Sequence, residues 1–106
     1  MPDRLSATFA ALADPTRRAI LARLASGESS VTELAEPFDM SLPAVSKHLK
    51  VLKQAGLVRD RHAGRETHYG AQLSALAPLI DWTRQMTGFW QSRFDRLEDL
   101  LRRMDQ

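Results

Sequence analysis

Two serines eleven residues apart constrain this chain more than any other feature of it. Ser30-Val31-Thr32-Glu33 has the form of a capping box: the serine hydroxyl accepts an orphan backbone N–H and the glutamate reaches back to the cap. Ser41 marks a second start, with Pro43 placed in a first turn where its missing N–H costs nothing, and Gly56 marks the end of that element. Only Asp39-Met40 remains as a connection. Two helices joined so tightly, each with its own cap, have helix-turn-helix spacing. Leu34, Ala35 and Phe38 face inward on the first, while Val45, Leu49 and Leu52 form the buried stripe of the second. Pro37 cannot occupy a helix interior, so the first of the pair is expected to be irregular or finished by that point.

The rest of the chain arranges itself around this pair. A helix is expected from about Leu5 to Ala13, with Leu5, Phe9 and Leu12 on one face. Asp14-Pro15 caps and restarts a second, which buries Ile20, Leu21 and Leu24 and stops near Ala25, before Gly27. After Gly56 the pattern becomes extended: 57–62 and 67–71 read as strands joined around Ala63-Gly64-Arg65-Glu66, a hairpin signal. The last helix, about Ala75 to Met104, would run ~45 Å at 1.5 Å per residue, longer than so small a body can cover. Its apolar residues fall in two registers. Leu79, Trp82, Met86 and Phe89 are expected on the body, and Trp90, Phe94, Leu97, Leu101 and Met104 form a short heptad seam facing another chain. The fold class expected is mainly α with a small β-hairpin. A winged helix-turn-helix domain occupies residues 1–74 and a dimerisation helix residues 75–106.

Charge places a function on this frame. Between Ser41 and Arg65 the basic residues are Lys47, Lys50, Lys53, Arg59, Arg61 and Arg65, against the single acid Asp60. Over the rest of the chain the acids outnumber the bases, 12 to 9. Positive charge gathered in one segment is what a polyanion-binding face requires. The second helix of the pair presents Pro43, Ser46, Lys47, Lys50 and Lys53 opposite its buried stripe, and no Asp or Glu occurs from Ser41 to Arg59. Small residues let such a helix approach a major groove, where lysine and serine reach base edges and phosphates. A basic hairpin directly after it is a wing, with Arg61 or Arg65 in reach of the flanking backbone or minor groove.

Other classes are excluded by what is missing. There is no cysteine, hence no disulfide and no thiolate metal site. No Gly-rich phosphate loop, Gly-x-Ser-x-Gly elbow or His-Glu-x-x-His is found, so no enzyme is expected. No apolar run approaches the ~20 residues of a membrane span and no leader is recognisable, so a cytoplasmic protein is expected.

Ala13-Asp14-Pro15-Thr16-Arg17-Arg18-Ala19-Ile20-Leu21, Val31-Thr32-Glu33-Leu34-Ala35, Ser46-Lys47-His48-Leu49-Lys50-Val51-Leu52, Ala55-Gly56-Leu57-Val58 and Gly64-Arg65 together resemble the ArsR-type winged-helix regulators over nearly the whole chain. The resemblance implies a homodimeric repressor, dimerised through its first and last helices, that reads an inverted-repeat operator with the helix at Ser41 to Ala55. By position it puts Ser41, Leu42, Pro43, Ser46, Lys47, His48 and Lys50 on the DNA-facing side and Arg59, Arg61 and Arg65 in or near the wing. Leu5 and Phe9, with Trp90, Phe94, Leu97, Leu101 and Met104, fall at the dimer interface. The stretch from Pro37 to Pro43 and the Trp- and Leu-bearing tail resemble the metal-free branch that includes autorepressors.

Metal-sensing members carry cysteines in the third helix or histidines and carboxylates in the last. Here the third helix reads Glu33-Leu34-Ala35-Glu36-Pro37-Phe38, and no histidine follows His68. His62 and His68 would have to approach each other across the hairpin, with Glu66 nearby, to make even part of a zinc site, which needs three or four ligands. No metal and no cofactor is expected. His48 has three readings, as a DNA contact, a packing group or a metal ligand. The other function class is a winged-helix protein–protein adaptor, which would have no reason to keep acids off the helix at Ser41.

Overall fold

Each of the first four helices begins where a short polar side chain meets its orphan amides. The computed structural model of the chain describes residues 3–105, so positions 1, 2 and 106 of the two expected segments lie outside it. α1 (Arg4–Leu12) is capped by Asp3, which accepts the Ser6 N–H at 2.8 Å. α2 (Pro15–Ala25) is capped by Asp14, which accepts from Thr16 and Arg17 at 2.7 and 3.0 Å. A two-residue strand β1 (Ser29–Ser30) leads into α3 (Val31–Phe38). There Ser30 accepts the Glu33 N–H at 3.2 Å, and Glu33 accepts that of Ser30 at the same distance, closing the box. Ser41 opens α4 (Leu42–Gln54) by accepting the Ala44 N–H at 3.3 Å.

The far end of α1 is closed from the next helix. Arg17 donates to the carbonyls of Ala11 and Ala10 at 2.5 and 3.1 Å, and Arg18 to that of Leu12 at 2.6 Å. Cations at carbonyl-rich helix ends are favourable, and these two fix the α1–α2 corner. The Arg17 amide is the main reason the Asp14 carboxyl titrates below its ordinary value of 3.8, with the Thr16 amide and nearby His48 adding to it. A carboxyl lowered by folding contributes stability that is complete above its ordinary value and lost as pH falls through the folded one. Asp14→Asn should therefore flatten the acid limb of the stability curve below about pH 4, as read by urea unfolding at stepped pH. A variant losing stability in acid as steeply as the parent would contradict this role.

α3 runs through Pro37 to Phe38, where the sequence predicts an irregular or finished helix. The proline falls in the last turn, so it costs one terminal hydrogen bond and not a central one. Asp39 then turns the chain in the left-handed region (φ 50°), and its N–H closes the carbonyls of Ala35 and Glu36. This connection orients α4 across α3. Ile20, Leu21 and Leu24 of α2, Leu34 and Ala35 of α3, and Val45, Leu49 and Leu52 of α4 meet in one core with Ala11, Leu57 and Val58. On α1 the buried residues are Thr8 and Ala11, while Leu5 and Leu12 are half-buried and Phe9 is exposed. Leu12 packs against this core, and Phe9 on the same face of α1 is left outside it.

β2 (Val58–Ala63) and β3 (Glu66–Ala71) form an antiparallel hairpin in the register Ala63↔Glu66 to Val58↔Ala71. The strands extend further than the sequence predicts, leaving only Gly64-Arg65 as the turn. Gly64 supplies the positive φ (65°) at the first central position that a tight two-residue hairpin turn demands. β1 pairs with the other side of β3, Ser29↔Tyr69 and Ser30↔His68, so the sheet order is β1-β3-β2. The residue that caps α3 therefore also anchors the wing.

After a 3-10 turn at Leu73–Leu76 comes α5 (Ala77–Met104), 28 residues long and without one buried residue. It accounts for the elongated outline of 73 × 30 × 21 Å. Its first half meets α1: Leu79 and Met86 are half-buried, and Trp82 sets its ring edge-on to Phe9 at 5.3 Å. Phe89, expected on the body, is exposed, with its ring against Trp90 and under Arg93 of its own helix. The body ends before α5 reaches that turn. Among the described residues no helix is long and apolar enough to cross a membrane.

Candidate nucleic-acid interface

With Val45, Leu49 and Leu52 in the core, the helical period turns the opposite side of α4 outward. Ser41, Leu42, Pro43, Ser46, Lys47 and Lys50 are all exposed there, in one continuous acid-free strip. Lys47 and Lys50 make no ion pair among the described residues. Arg65 is exposed at the tip of the hairpin turn. These residues form a surface of small side chains and free cations, with a β-ribbon beside its C-terminal end.

Other residues of the sequence-predicted set are placed differently. His48 is half-buried on the flank of α4 that faces the start of α2, near enough to Asp14 to help lower its carboxyl. That position favours the packing reading over a groove contact. Arg59 is committed to the protein: its Nη1 donates to the Ala71 carbonyl at 2.6 Å, and its guanidinium lies over Gly70. It seats the hairpin and does not extend from it. Arg61 is exposed but paired, its Nε 3.3 Å from Glu28. Lys53 is held by Asp60 at 2.8 Å. That pairing raises the Lys53 ammonium above its ordinary value and holds the Asp60 carboxyl below its own.

Neither the Glu28–Arg61 pair nor the Asp60–Lys53 pair is legible in the sequence, because only the fold brings the partners close. The hairpin register also decides the histidines. His62 lies opposite Thr67, and His68 opposite Arg61, so their side chains leave the sheet on opposite faces. His62 bonds Thr67 at 3.1 Å, and His68 lies 3.3 Å from Glu66. They cannot share an ion, and among the described residues no group of three His, Cys, Asp or Glu side chains is gathered for one.

Residues 12–61 match a family described as a helix-turn-helix domain. Over 95 residues the chain is 52% identical to the HTH-type transcriptional regulator Rv2034 of Mycobacterium tuberculosis, covering 85% of this chain and 86% of that one. It is 39% identical to the transcriptional repressor SdpR of Bacillus subtilis, covering 70% and 82% respectively. Among solved structures, an ArsR family transcriptional regulator superimposes with a TM-score of 0.77 at 38% identity, over 84% of this chain and 98% of that one. The homodimeric winged helix-turn-helix DNA-binding domain of Mb0332 from Mycobacterium bovis does so with a TM-score of 0.66 at 31% identity, covering 81% and 80%. By sequence and by fold alike, the chain belongs to the ArsR family of winged helix-turn-helix transcriptional regulators, a class of DNA-binding proteins and not of enzymes.

Proposed function

We propose that this regulator is a cytoplasmic homodimeric repressor that lays α4 in the major groove of an inverted-repeat operator and responds to no metal ion. The acid-free, unpaired strip on α4 carries the reading. An adaptor without a DNA role would gain nothing from keeping every carboxylate off that face. Ser46 and Lys47 lie where base edges would be read, Ser41, Leu42 and Pro43 let the first turn approach, and Lys50 and Arg65 reach phosphates. The apolar face of α5 supplies the second subunit. Trp90, Phe94, Leu97, Leu101 and Met104 are each at least half exposed in one chain, an apolar row of the kind that marks an interface, and exposed Phe9 with half-buried Leu5 would add to it from α1. A symmetric dimer places two copies of α4 for two half-sites about 34 Å apart.

The test is fluorescence anisotropy on duplex DNA at several salt concentrations, with zinc, nickel or a chelator added in parallel. Binding should weaken steeply with salt, since each phosphate neutralised adds roughly 0.9 to the log–log slope. The curves with metal and with chelator should coincide. No binding to any duplex at low salt would overturn the function. Stoichiometric metal that survives dialysis and moves operator affinity more than tenfold would overturn metal independence.

A further inference from the structure

We propose that Glu28 is an affinity-limiting residue of the wing: its carboxylate occupies the wing arginine Arg61 as a phosphate oxygen would, so contact with any duplex must exchange one anion for another. This rests on the reading that the wing faces DNA. Glu28 stands in the turn between α2 and β1, outside the basic window, and reaches Arg61 across 33 residues of sequence at 3.3 Å. It is not a freely swinging surface acid. An added Cβ on Gly70 would come within 3.3 Å of the Glu28 Cγ, and within 3.2 Å of the Arg59 guanidinium. The stem of Glu28 thus lies on the sheet at the one cross-strand position with no side chain, beside an arginine that is itself bonded to the Ala71 carbonyl. Arg59 and Arg61 project from the same face of β2, two residues apart, and with Arg59 held by the Ala71 carbonyl the carboxylate pairs with Arg61.

The exposure of the pair sets its consequence. The side chains of Arg61 and Glu28 are 56% and 37% exposed, so the bond is weak enough for DNA to displace. On a duplex of arbitrary sequence, a single phosphate offers Arg61 little more than Glu28 already does. In a narrow minor groove the potential is more negative and the exchange is favourable. The internal carboxylate therefore lowers affinity for every duplex that takes Arg61, by the cost of breaking the same bond, and the operator complex bears that cost in full. Lys53 and Asp60 have the same pairing, but Asp60 is on the wing itself and moves with it.

The experiment compares the full-length protein with Glu28→Gln, Arg61→Ala and the double variant, on random duplex and on an operator selected from a random pool. Glu28→Gln should bind random duplex some two- to tenfold more tightly, with a salt slope steeper by roughly 0.9 per arginine released. The gain on operator should be at least as large, because the parent must break the pair there, and on both duplexes it should vanish where Arg61 is absent. Glu28→Asp keeps the charge but shortens the reach, and should show part of the same gain. No change in either variant, a gain on random duplex that operator does not share, or a gain that persists without Arg61 would overturn the proposal. A parent protein that binds no duplex would instead overturn the functional reading beneath it.

Discussion

Leu97→Glu combined with Leu101→Glu should convert the protein into a folded monomer that has lost its operator. Two-fold symmetry makes each residue count twice, so four leucines leave the subunit seam. Full burial of a leucine stabilises by roughly 1.5–3 kcal/mol. In the single chain these two are 52% and 54% exposed, so about half of that remains for the partner to bury. Four half-burials come to ~3–6 kcal/mol, or two to four orders of magnitude in the dimer dissociation constant at ~1.4 kcal/mol per tenfold. Four carboxylates brought together in the seam would add to this. The subunit core, built from α1 to β2, contains neither leucine and should be unaffected. Light scattering should then report the monomer mass with unchanged circular dichroism. Operator affinity should fall with dimerisation, while weak binding to random duplex survives on the intact α4. A folded variant that remains dimeric would show that the subunits meet elsewhere.

What the sequence revealed, and what it hid, follows from the range of the physics involved. Asp14, Ser30 and Ser41 act on amides two or three residues away, so their caps are written locally and all are present. The stripe Val45-Leu49-Leu52 is equally local, because the helical period alone decides which face is buried. β1 was not legible: two serines carry no alternation, and their strand exists only because β3 passes alongside. The role of Arg59 was hidden for the same reason. Arg59, Arg61 and Arg65 look alike as a charge run, but the register sets Arg59 opposite Gly70, with open backbone and a free carbonyl next to it. The histidines show it most plainly, since their separation along the hairpin says nothing about faces until the pairing is known. In α5 the two registers were visible, but how far the body reaches was not. Phe89 has the spacing of a packed residue and nothing to pack on.

Lys47→Ala with Lys50→Ala should cost the most in DNA affinity while costing the fold almost nothing. Both side chains are exposed and unpaired among the described residues, and surface substitutions of that kind usually shift stability by no more than about 0.5 kcal/mol. In the proposed complex a dimer would lose four cations facing the duplex. At roughly 0.9 per phosphate contact, the two copies of Lys50 should flatten the log–log salt slope by about 1.8. Near 0.1 M salt, one decade below the 1 M reference, that difference amounts to a loss of about two orders of magnitude in affinity, to which the lost base-edge contacts of Lys47 add ~1–3 kcal/mol each. The single variants separate the two lysines. If Lys50 neutralises phosphate, removing it should weaken operator and random duplex alike and flatten the slope by about two units for the dimer. If Lys47 reads a base edge, removing it should lower the operator-to-random ratio, by ~1–3 kcal/mol at the position it reads, with a smaller change in slope. Replacing Lys53 serves as the contrast, because Asp60 already holds its ammonium and less is available for DNA. A double variant that keeps both its salt slope and its affinity would mean that α4 does not face the duplex, whatever else the wing contacts.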